Sequence, residues 1–308
     1  MTVKRGRKDK RARIDQLLSM AWNTNSTARA LAIANQILEI DPDCIEAILL
    51  KADNITDNSQ RIDLLLKVLS IFENLDKENA LSDFDERELF FLVVNQRLAY
   101  TFFIVGDHEK ALSFCETAIK FAEEHEELDE NEENNSDIKT LYYRILIERK
   151  EWRKILSETM RDDEHNLAWG YARLVAAWMT APDKARKVCA NMFWDVLMMA
   201  PDVPFYMLGY FEEPDDKAEP EVHDEFGFAL MYYDVLSVSD EFFNWFSRGV
   251  ILFGLLSGRF DEKESDYMID VLDSLGGYEE YQRMSEILVE TEDSVVIETL
   301  AANKCLMD

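Results

Sequence analysis

The chain has 308 residues, of which 47% are hydrophobic and 31% charged, so it is long enough to bury a large apolar core. Only 10 Gly and 6 Pro occur, which argues against an all-β protein and against an enzyme built on glycine-rich loops. The net charge of -29 argues against binding of nucleic acid or of an anionic membrane by the body of the protein.

The amino terminus has the opposite charge, with seven basic residues against one acidic residue in residues 1–13. We predict a basic disordered tail there that leads into a helix near Ile14, the alternative being an anchor for nucleic acid or for an acidic neighbour. The tail lacks the apolar core of a signal peptide, and no apolar run reaches the length of about 18 residues needed to span a membrane. We therefore expect a cytoplasmic protein without membrane contact.

The first predicted helices carry apolar residues at three-and-four spacing. One stripe begins at Ala30 and ends at Asp41-Pro42, since proline cannot continue a helix beyond its first turn. The most regular stretch is 95–120, where Gly106 ends one predicted helix and Asp107 caps the next. Its predicted inward residues are Leu98, Ala99, Phe102, Phe103 and Val105, then Ala111, Leu112, Cys115, Ala118 and Ile119.

This hairpin is the tetratricopeptide pattern, a helix-turn-helix unit of about 34 residues. Equivalent positions in successive second helices are Ala30, Leu64, Ala111, Ile155 and Ala185. The first spacing equals the repeat period, and the next two require insertions at 74–86 and 126–137. The second insertion is strongly acidic and predicts a solvated loop or a frayed helix end. A calcium loop is the alternative there, but the Asp-x-Asp-x-Asp-Gly order is missing.

Further helical pairs are predicted over 138–160 and 165–196, followed by a turn that Pro201 and Pro204 hold extended. We divide the chain into the tail 1–13, tetratricopeptide-like repeats over 14–210, a linker with a further hairpin over 211–258, and a helical carboxy-terminal cap over 259–308. The cap comprises helices at 262–275, 278–289 and 294–306. The predicted fold is all-α, a right-handed α-α superhelix of helical hairpins.

Three elements in the second half resemble the suppression-of-tumorigenicity-seven family and its bacterial relatives over roughly residues 15–250. The first is a helix with Trp169 and Tyr171, and the second is the turn VPFYMLG at 203–209. The third is a helix followed by a later Trp; its matching residues are Ala229, Tyr232 and Trp245. Asp202 departs from the His that is usual in the family. The resemblance implies a repeat fold but no reaction, because the family is defined by its repeats.

Motifs for chemistry are few. There are 4 His and 4 Cys, and the widely separated cysteines, Cys44, Cys115, Cys189 and Cys305, are predicted to be reduced core residues. His165 and His223 have acidic neighbours but lack the HExxH spacing of a metal helix. We therefore predict no catalytic residue, no metal and no cofactor. A metal-dependent or hydrolytic enzyme on a helical scaffold remains the alternative.

The predicted function is that of a non-enzymatic scaffold that binds a protein or peptide through the concave face of the solenoid. An acidic body favours a basic or hydrophobic partner. A second alternative is a structural subunit that forms an oligomer. The candidate partner-binding residues are Lys51, Asn95, Arg97, Trp169, Tyr171, Tyr206, Tyr210 and Tyr232.

Overall fold

The computed structural model describes residues 2–77, 87–125, 133–160, 166–180, 182–288 and 292–307. Within these ranges it contains sixteen α-helices and no strand, which confirms the prediction of an all-α chain of helical hairpins. The chain divides into two compact units, Met1–Ile145 and Leu146–Asp308. The handedness of a superhelix stays a prediction, and so does the four-part division of the chain.

The helices that begin in unit 1 are α1 (Thr2–Trp22), α2 (Thr27–Ile40), α3 (Ile45–Asn54), α4 (Asn58–Lys77), α5 (Arg87–Ile104), α6 (His108–Glu124) and α7 (Glu133–Glu148). Those of unit 2 are α8 (Trp152–Thr159), α9 (Leu167–Thr180), α10 (Pro182–Met199), α11 (Val203–Met207), α12 (Pro220–Tyr232), α13 (Asp240–Ser257), α14 (Glu262–Ser274), α15 (Tyr278–Ser285) and α16 (Asp293–Ala302). A 3-10 helix, Tyr233–Val238, joins α12 to α13.

The α5–α6 hairpin shows how the sequence sets the turns. Gly106 has φ +80, and the amides of Gly106 and Asp107 donate to the carbonyls of Phe103 and Phe102 at 3.0 and 2.9 Å. These two bonds satisfy carbonyls that the end of α5 would otherwise leave unpaired. The Asp107 carboxylate then accepts from the Lys110 amide and caps α6. The predicted turn chemistry is confirmed.

One inward residue of that hairpin was predicted wrongly. Leu98, Ala99 and Phe102 are buried as expected, but the side chain of Val105 is 47% exposed. Val105 lies beyond the last helical residue, Ile104, so the helical spacing no longer sets its direction.

From α1 to α6, each helix of unit 1 packs on the next one in sequence, and the odd-numbered helices also contact one another. Arg11 of α1 pairs with Glu46 of α3 at 3.1 Å, and Asp53 of α3 pairs with Arg97 of α5 at 3.0 Å. The guanidinium of Arg144 on α7 lies 5.5 Å from the ring centre of Phe103 on α5. The odd helices of unit 1 therefore form one layer, as stacked helical hairpins require.

The amino terminus differs from its predicted disorder. The backbone of the basic segment is helical and forms the first turns of α1, which begins at Thr2. Ile14, Leu17, Leu18 and Ala21 anchor this helix by burial in a cluster with Ile33 and Ile37 of α2. The favourable burial of the later turns supports the earlier ones, since each further residue adds one hydrogen bond to an existing helix.

Unit 2 is centred on α13, whose residues Trp245, Phe246, Val250 and Phe253 are buried. The carboxy-terminal helices begin within a residue of their predicted positions, and α16 packs on α10 and α13. The indole of Trp245 donates to the carbonyl of Leu306 at 3.2 Å. The last residues of the chain thus contribute to the core of unit 2.

Parts of two predictions lie outside the described residues. Of the two insertions, residues 78–86 and 126–132 are outside the described ranges, and so is His165. α4 extends to Lys77 before the first of these gaps, and α7 begins at Glu133 after the second.

Candidate functional site

Three predicted binding residues lie in unit 1, and they differ in burial. Asn95 is 1% exposed and its side-chain amide donates to the Phe91 carbonyl at 2.8 Å, so it is a core residue and not a groove residue. Lys51 is half-buried and donates to Asn35 at 3.0 Å. Arg97 pairs with Asp53 at 3.0 Å, with 35% of its side chain exposed. Only Lys51 and Arg97 remain accessible to a partner.

Beside Arg97, α5 exposes apolar side chains that the sequence did not single out. Tyr100 is 48% exposed, Ile104 49% and Val105 47%. Tyr100 and Ile104 are four residues apart and therefore lie on the same helix face, one and two turns beyond Arg97. We call Arg97, Tyr100, Ile104 and Val105 the α5 surface. The sequence did contain a signal for this surface, because Tyr100 and Ile104 lie outside the predicted inward-facing stripe of apolar residues on this helix.

Three predicted aromatic binding residues of unit 2 are buried. Trp169 is 5% exposed, and Tyr171 and Tyr232 are 0% exposed. The rings of Tyr171 and Tyr232 lie 6.2 Å apart, and Phe228 is 5.5 Å from Tyr171 and 4.4 Å from Tyr232. These side chains form the core between α9 and α12, which corrects their assignment to a binding groove.

Tyr206 and Tyr210 are half-buried at the proline-marked turn. The prediction of an extended turn was wrong. Val203–Met207 instead forms the short helix α11, with a proline in its first turn. The Tyr206 ring packs edge-on against Phe211 and Phe226 at 5.5 Å each. The Tyr210 ring packs against Phe260 at 5.9 Å.

Arg259 is the centre of a charged cluster next to this turn. Its guanidinium binds Asp293 with two bonds of 2.8 and 2.7 Å, Asp202 at 2.9 Å and the Ser257 hydroxyl at 2.8 Å. It also lies 4.5 Å from the ring centre of Phe253. The bond to Arg259 lowers the pKa of Asp293. Asp202 therefore has a structural role as a partner of Arg259.

Glu225 of α12 lies near the same cluster. Burial, and then the charge of Asp202, raise the pKa of Glu225, while Arg259 acts in the opposite direction. Burial, Asp202 and Glu225 together raise the pKa of Tyr206.

The cysteines offer no activated nucleophile. All four are free and buried, as predicted. Burial raises the pKa of Cys44, Cys189 and Cys305 to about 12. It also raises the pKa of Cys115. A nucleophilic thiol needs the opposite shift, toward the thiolate.

The histidines and carboxylates in the described ranges were the other candidates for chemistry. His223 is exposed on α12. Among the residues that the structure describes, no three His, Cys, Asp or Glu side chains are grouped so that they could hold a metal ion. Among the described residues, the α5 surface and the Arg259 cluster are two places where accessible groups lie close together.

The comparisons with known proteins add no relative. No family model matches the chain, and neither a curated protein nor a solved structure matches it. The resemblance to the suppression-of-tumorigenicity-seven family therefore stays a prediction. In the described ranges, none of the helices has the length and apolar character that crossing a bilayer requires.

Proposed function

We propose that this protein is a non-enzymatic protein-interaction module and that the α5 surface of unit 1 binds its partner. The observation that carries this proposal is the exposure of Tyr100 and Ile104, each by nearly half, on one face of α5, with Val105 exposed to a similar extent directly after the helix. Tyrosine beside aliphatic side chains is typical of the energetic centre of protein interfaces. Arg97 adds an ion-pairing group at the edge.

The layer of odd helices supports a binding role for this surface. α5 lies between α3 and α7 in that layer, through the contacts of Arg97 with Asp53 and of Phe103 with Arg144. A helix held on both sides presents its exposed residues without a large ordering cost on binding. The surface is therefore preorganised for a peptide or a helix.

The expected partner is a protein segment with apolar anchors and basic flanks. The chain carries 62 acidic and 33 basic residues, so a basic segment is attracted to it and an acidic one is repelled. A cytoplasmic location and a tetratricopeptide-type superhelix belong to the same proposal. The lack of an activated thiol among the free cysteines supports a binding role over a thiol-dependent reaction.

The test compares two exposed apolar pairs. The variant Tyr100→Ser with Ile104→Ser changes the α5 surface, whereas Leu230→Ser with Tyr233→Ser changes a pair in unit 2 whose members are each 58% exposed. Affinity capture from the native cell should recover the same partner with the wild type and the unit 2 variant, and should lose it with the α5 variant. Recovery of the same proteins by all three baits would overturn the proposal.

The same variants also test the alternative that the protein is a structural subunit that forms an oligomer. Light scattering of the purified proteins gives the number of chains per particle. A wild-type dimer that becomes a monomer only in the α5 variant would mean that the surface binds a second copy. Circular dichroism of each variant checks that the helices are retained, as expected for substitutions at exposed positions.

A further inference from the structure

The outward side of α12 in unit 2 exposes apolar side chains. Leu230 and Tyr233 are each 58% exposed. Phe226, four residues before Leu230, is half-buried and packs edge-on against the Tyr206 ring at 5.5 Å. Tyr233 follows Leu230 by three residues and keeps helical backbone angles, with φ -56 and ψ -36. Residues three and four positions apart are neighbours on a helix, so Phe226, Leu230 and Tyr233 adjoin one another.

Gly227 leaves a gap beside Leu230 on this side of the helix. A Cβ atom at Gly227 would have no atom within 4 Å, whereas one at Gly170 or Gly254 would lie 2.7 or 2.5 Å from a side chain. Glycine inside a helix is destabilising relative to alanine, and neither a positive φ nor a close neighbour in the described part of unit 2 requires it here. The four adjoining positions form what we call the α12 surface: Phe226, Gly227, Leu230 and Tyr233.

Negative charge surrounds the α12 surface. Residues 212–241, which contain α12 and the segments on either side of it, include eleven acidic residues and one lysine. Asp224 and Asp234 are exposed, three residues before Gly227 and four after Leu230, so they lie at the two ends of the surface. A partner that covers the apolar side chains therefore needs basic groups at its edges.

We propose that the α12 surface is a docking site for a cationic amphipathic helix of another protein. Leu230 and Tyr233 supply the apolar contact, and the gap at Gly227 lets the backbone of the partner helix come close. The surrounding carboxylates attract lysine or arginine side chains at the edges of the partner helix. The α12 surface lies in unit 2 and does not rest on the α5 surface of unit 1.

Other occupants fit the α12 surface less well. The surrounding carboxylates repel an anionic membrane and a nucleic acid. A second copy of the chain carries a net charge of -29, and Ala12 is the sole hydrophobic residue in its basic segment, 4–13. The apolar residues that follow this segment, Ile14 and Leu17, are packed in a cluster with α2. The basic segment of a second copy therefore lacks apolar anchors for this surface.

The test measures the fluorescence anisotropy of a labelled synthetic peptide with the full-length protein. The probe is a helix of about 18 residues, or about five turns, with leucine along one narrow stripe, lysine at its edges and alanine elsewhere. The matched control peptide has glutamate in place of lysine. We expect saturable binding of the lysine peptide that weakens as sodium chloride rises from about 10 to 150 mM, and no saturable binding of the glutamate peptide.

Three variants locate the binding on the chain. Leu230→Ser with Tyr233→Ser should weaken binding of the lysine peptide at least about tenfold, because it removes the apolar anchors. Gly227→Ala should weaken binding at least about fivefold, because a methyl group fills the gap, while it raises the urea midpoint through helix propensity. A protein that is more stable yet binds less tightly cannot be explained by loss of the fold. The α5 pair, Tyr100→Ser with Ile104→Ser, is the matched control and should bind the peptide as the wild type does.

Three results would overturn the proposal. Equal affinity for the lysine peptide in the wild type and in the Leu230→Ser, Tyr233→Ser variant would show that charge alone holds the peptide. Loss of binding in the α5 variant alone would assign the peptide to the α5 surface. In light scattering, a wild-type dimer that becomes a monomer only in the Leu230→Ser, Tyr233→Ser variant would assign the α12 surface to a second copy.

Discussion

Two glycines of α13 determine how closely aromatic side chains approach that helix. A Cβ atom at Gly254 would lie 2.5 Å from a ring carbon of Phe260 and 2.7 Å from one of Phe205. A Cβ atom at Gly249 would lie 2.7 Å from Leu306 and 2.8 Å from Phe193. Rigid rings cannot yield to such contacts, so these glycines are required by packing and not by a turn.

We predict that Gly254→Ala destabilises the protein. Overpacking costs about 1–3 kcal/mol, which exceeds the gain of about 1 kcal/mol in helix propensity. Urea unfolding measures the change in the free energy of unfolding. The control is Gly227→Ala in α12, where no atom lies within 4 Å of the added Cβ and stabilisation is expected. A stabilised Gly254→Ala protein would contradict the packing account.

At the scale of elements, Arg259 joins three segments of unit 2. It follows α13 directly, binds Asp202 at the start of α11 and binds Asp293 at the first residue of α16. Only 12% of the Arg259 side chain is exposed, and the two aspartates are 45% and 42% exposed. The carboxylates also lie at helix amino termini, where negative charge is favourable.

The Asp293 pair predicts a pH dependence of stability. Because Arg259 lowers the pKa of Asp293 in the folded state, the contribution is present above the unfolded pKa of about 3.9 and is lost as pH falls through the folded value. The urea midpoint of Asp293→Asn should lie below that of the wild type near neutral pH, and the two should converge once the pH has fallen below the lowered folded-state pKa of Asp293. The exposed Glu298→Gln on α16 is the control. A constant gap at all pH values would show that the substitution acts through packing.

A second prediction concerns how α16 contributes to unit 2. Leu300 is 0% exposed and Val295 is 42% exposed on the same helix. Leu300→Ala should lower the free energy of unfolding by about 2–5 kcal/mol, because it removes buried apolar contacts and leaves a cavity. Val295→Ala should change it by less than about 1 kcal/mol. Equal small effects would mean that α16 is a detachable cap.

At the scale of the whole molecule, the dominant property is the net charge of -29. Like charges spread over a folded surface repel one another and oppose compactness. The described ion pairs with both partners largely exposed, such as Lys67 with Asp43, contribute little against this repulsion.

We therefore predict that salt stabilises the protein. Raising sodium chloride from about 10 to 150 mM shortens the screening length from about 30 to 8 Å. Each kcal/mol of repulsion relieved should raise Tm by about 2–4 °C. Calorimetry across this range measures the effect. Most of the rise should occur below about 150 mM, because screening saturates while other salt effects continue. A flat Tm over that range would show that repulsion between surface charges is unimportant.

The sequence alone determined the local structure. Helical spacing, Gly106 and Asp107 predicted the α5–α6 hairpin, and the carboxy-terminal helices began near their predicted residues, because caps and apolar periodicity act over a few neighbouring positions. The candidate site was predicted less well. Lys51, Arg97, Tyr206 and Tyr210 are accessible, whereas the remaining candidates are buried.

Only the tertiary structure decided which aromatic and polar groups meet. Tyr171 and Tyr206 look alike in sequence, yet one is a core residue and the other borders a charged cluster. Arg259 finds its partners 57 and 34 residues away, at Asp202 and Asp293. Periodicity indicates that a helix buries one face but not which distant helix covers it, so burial and long-range pairing depend on how the helices pack.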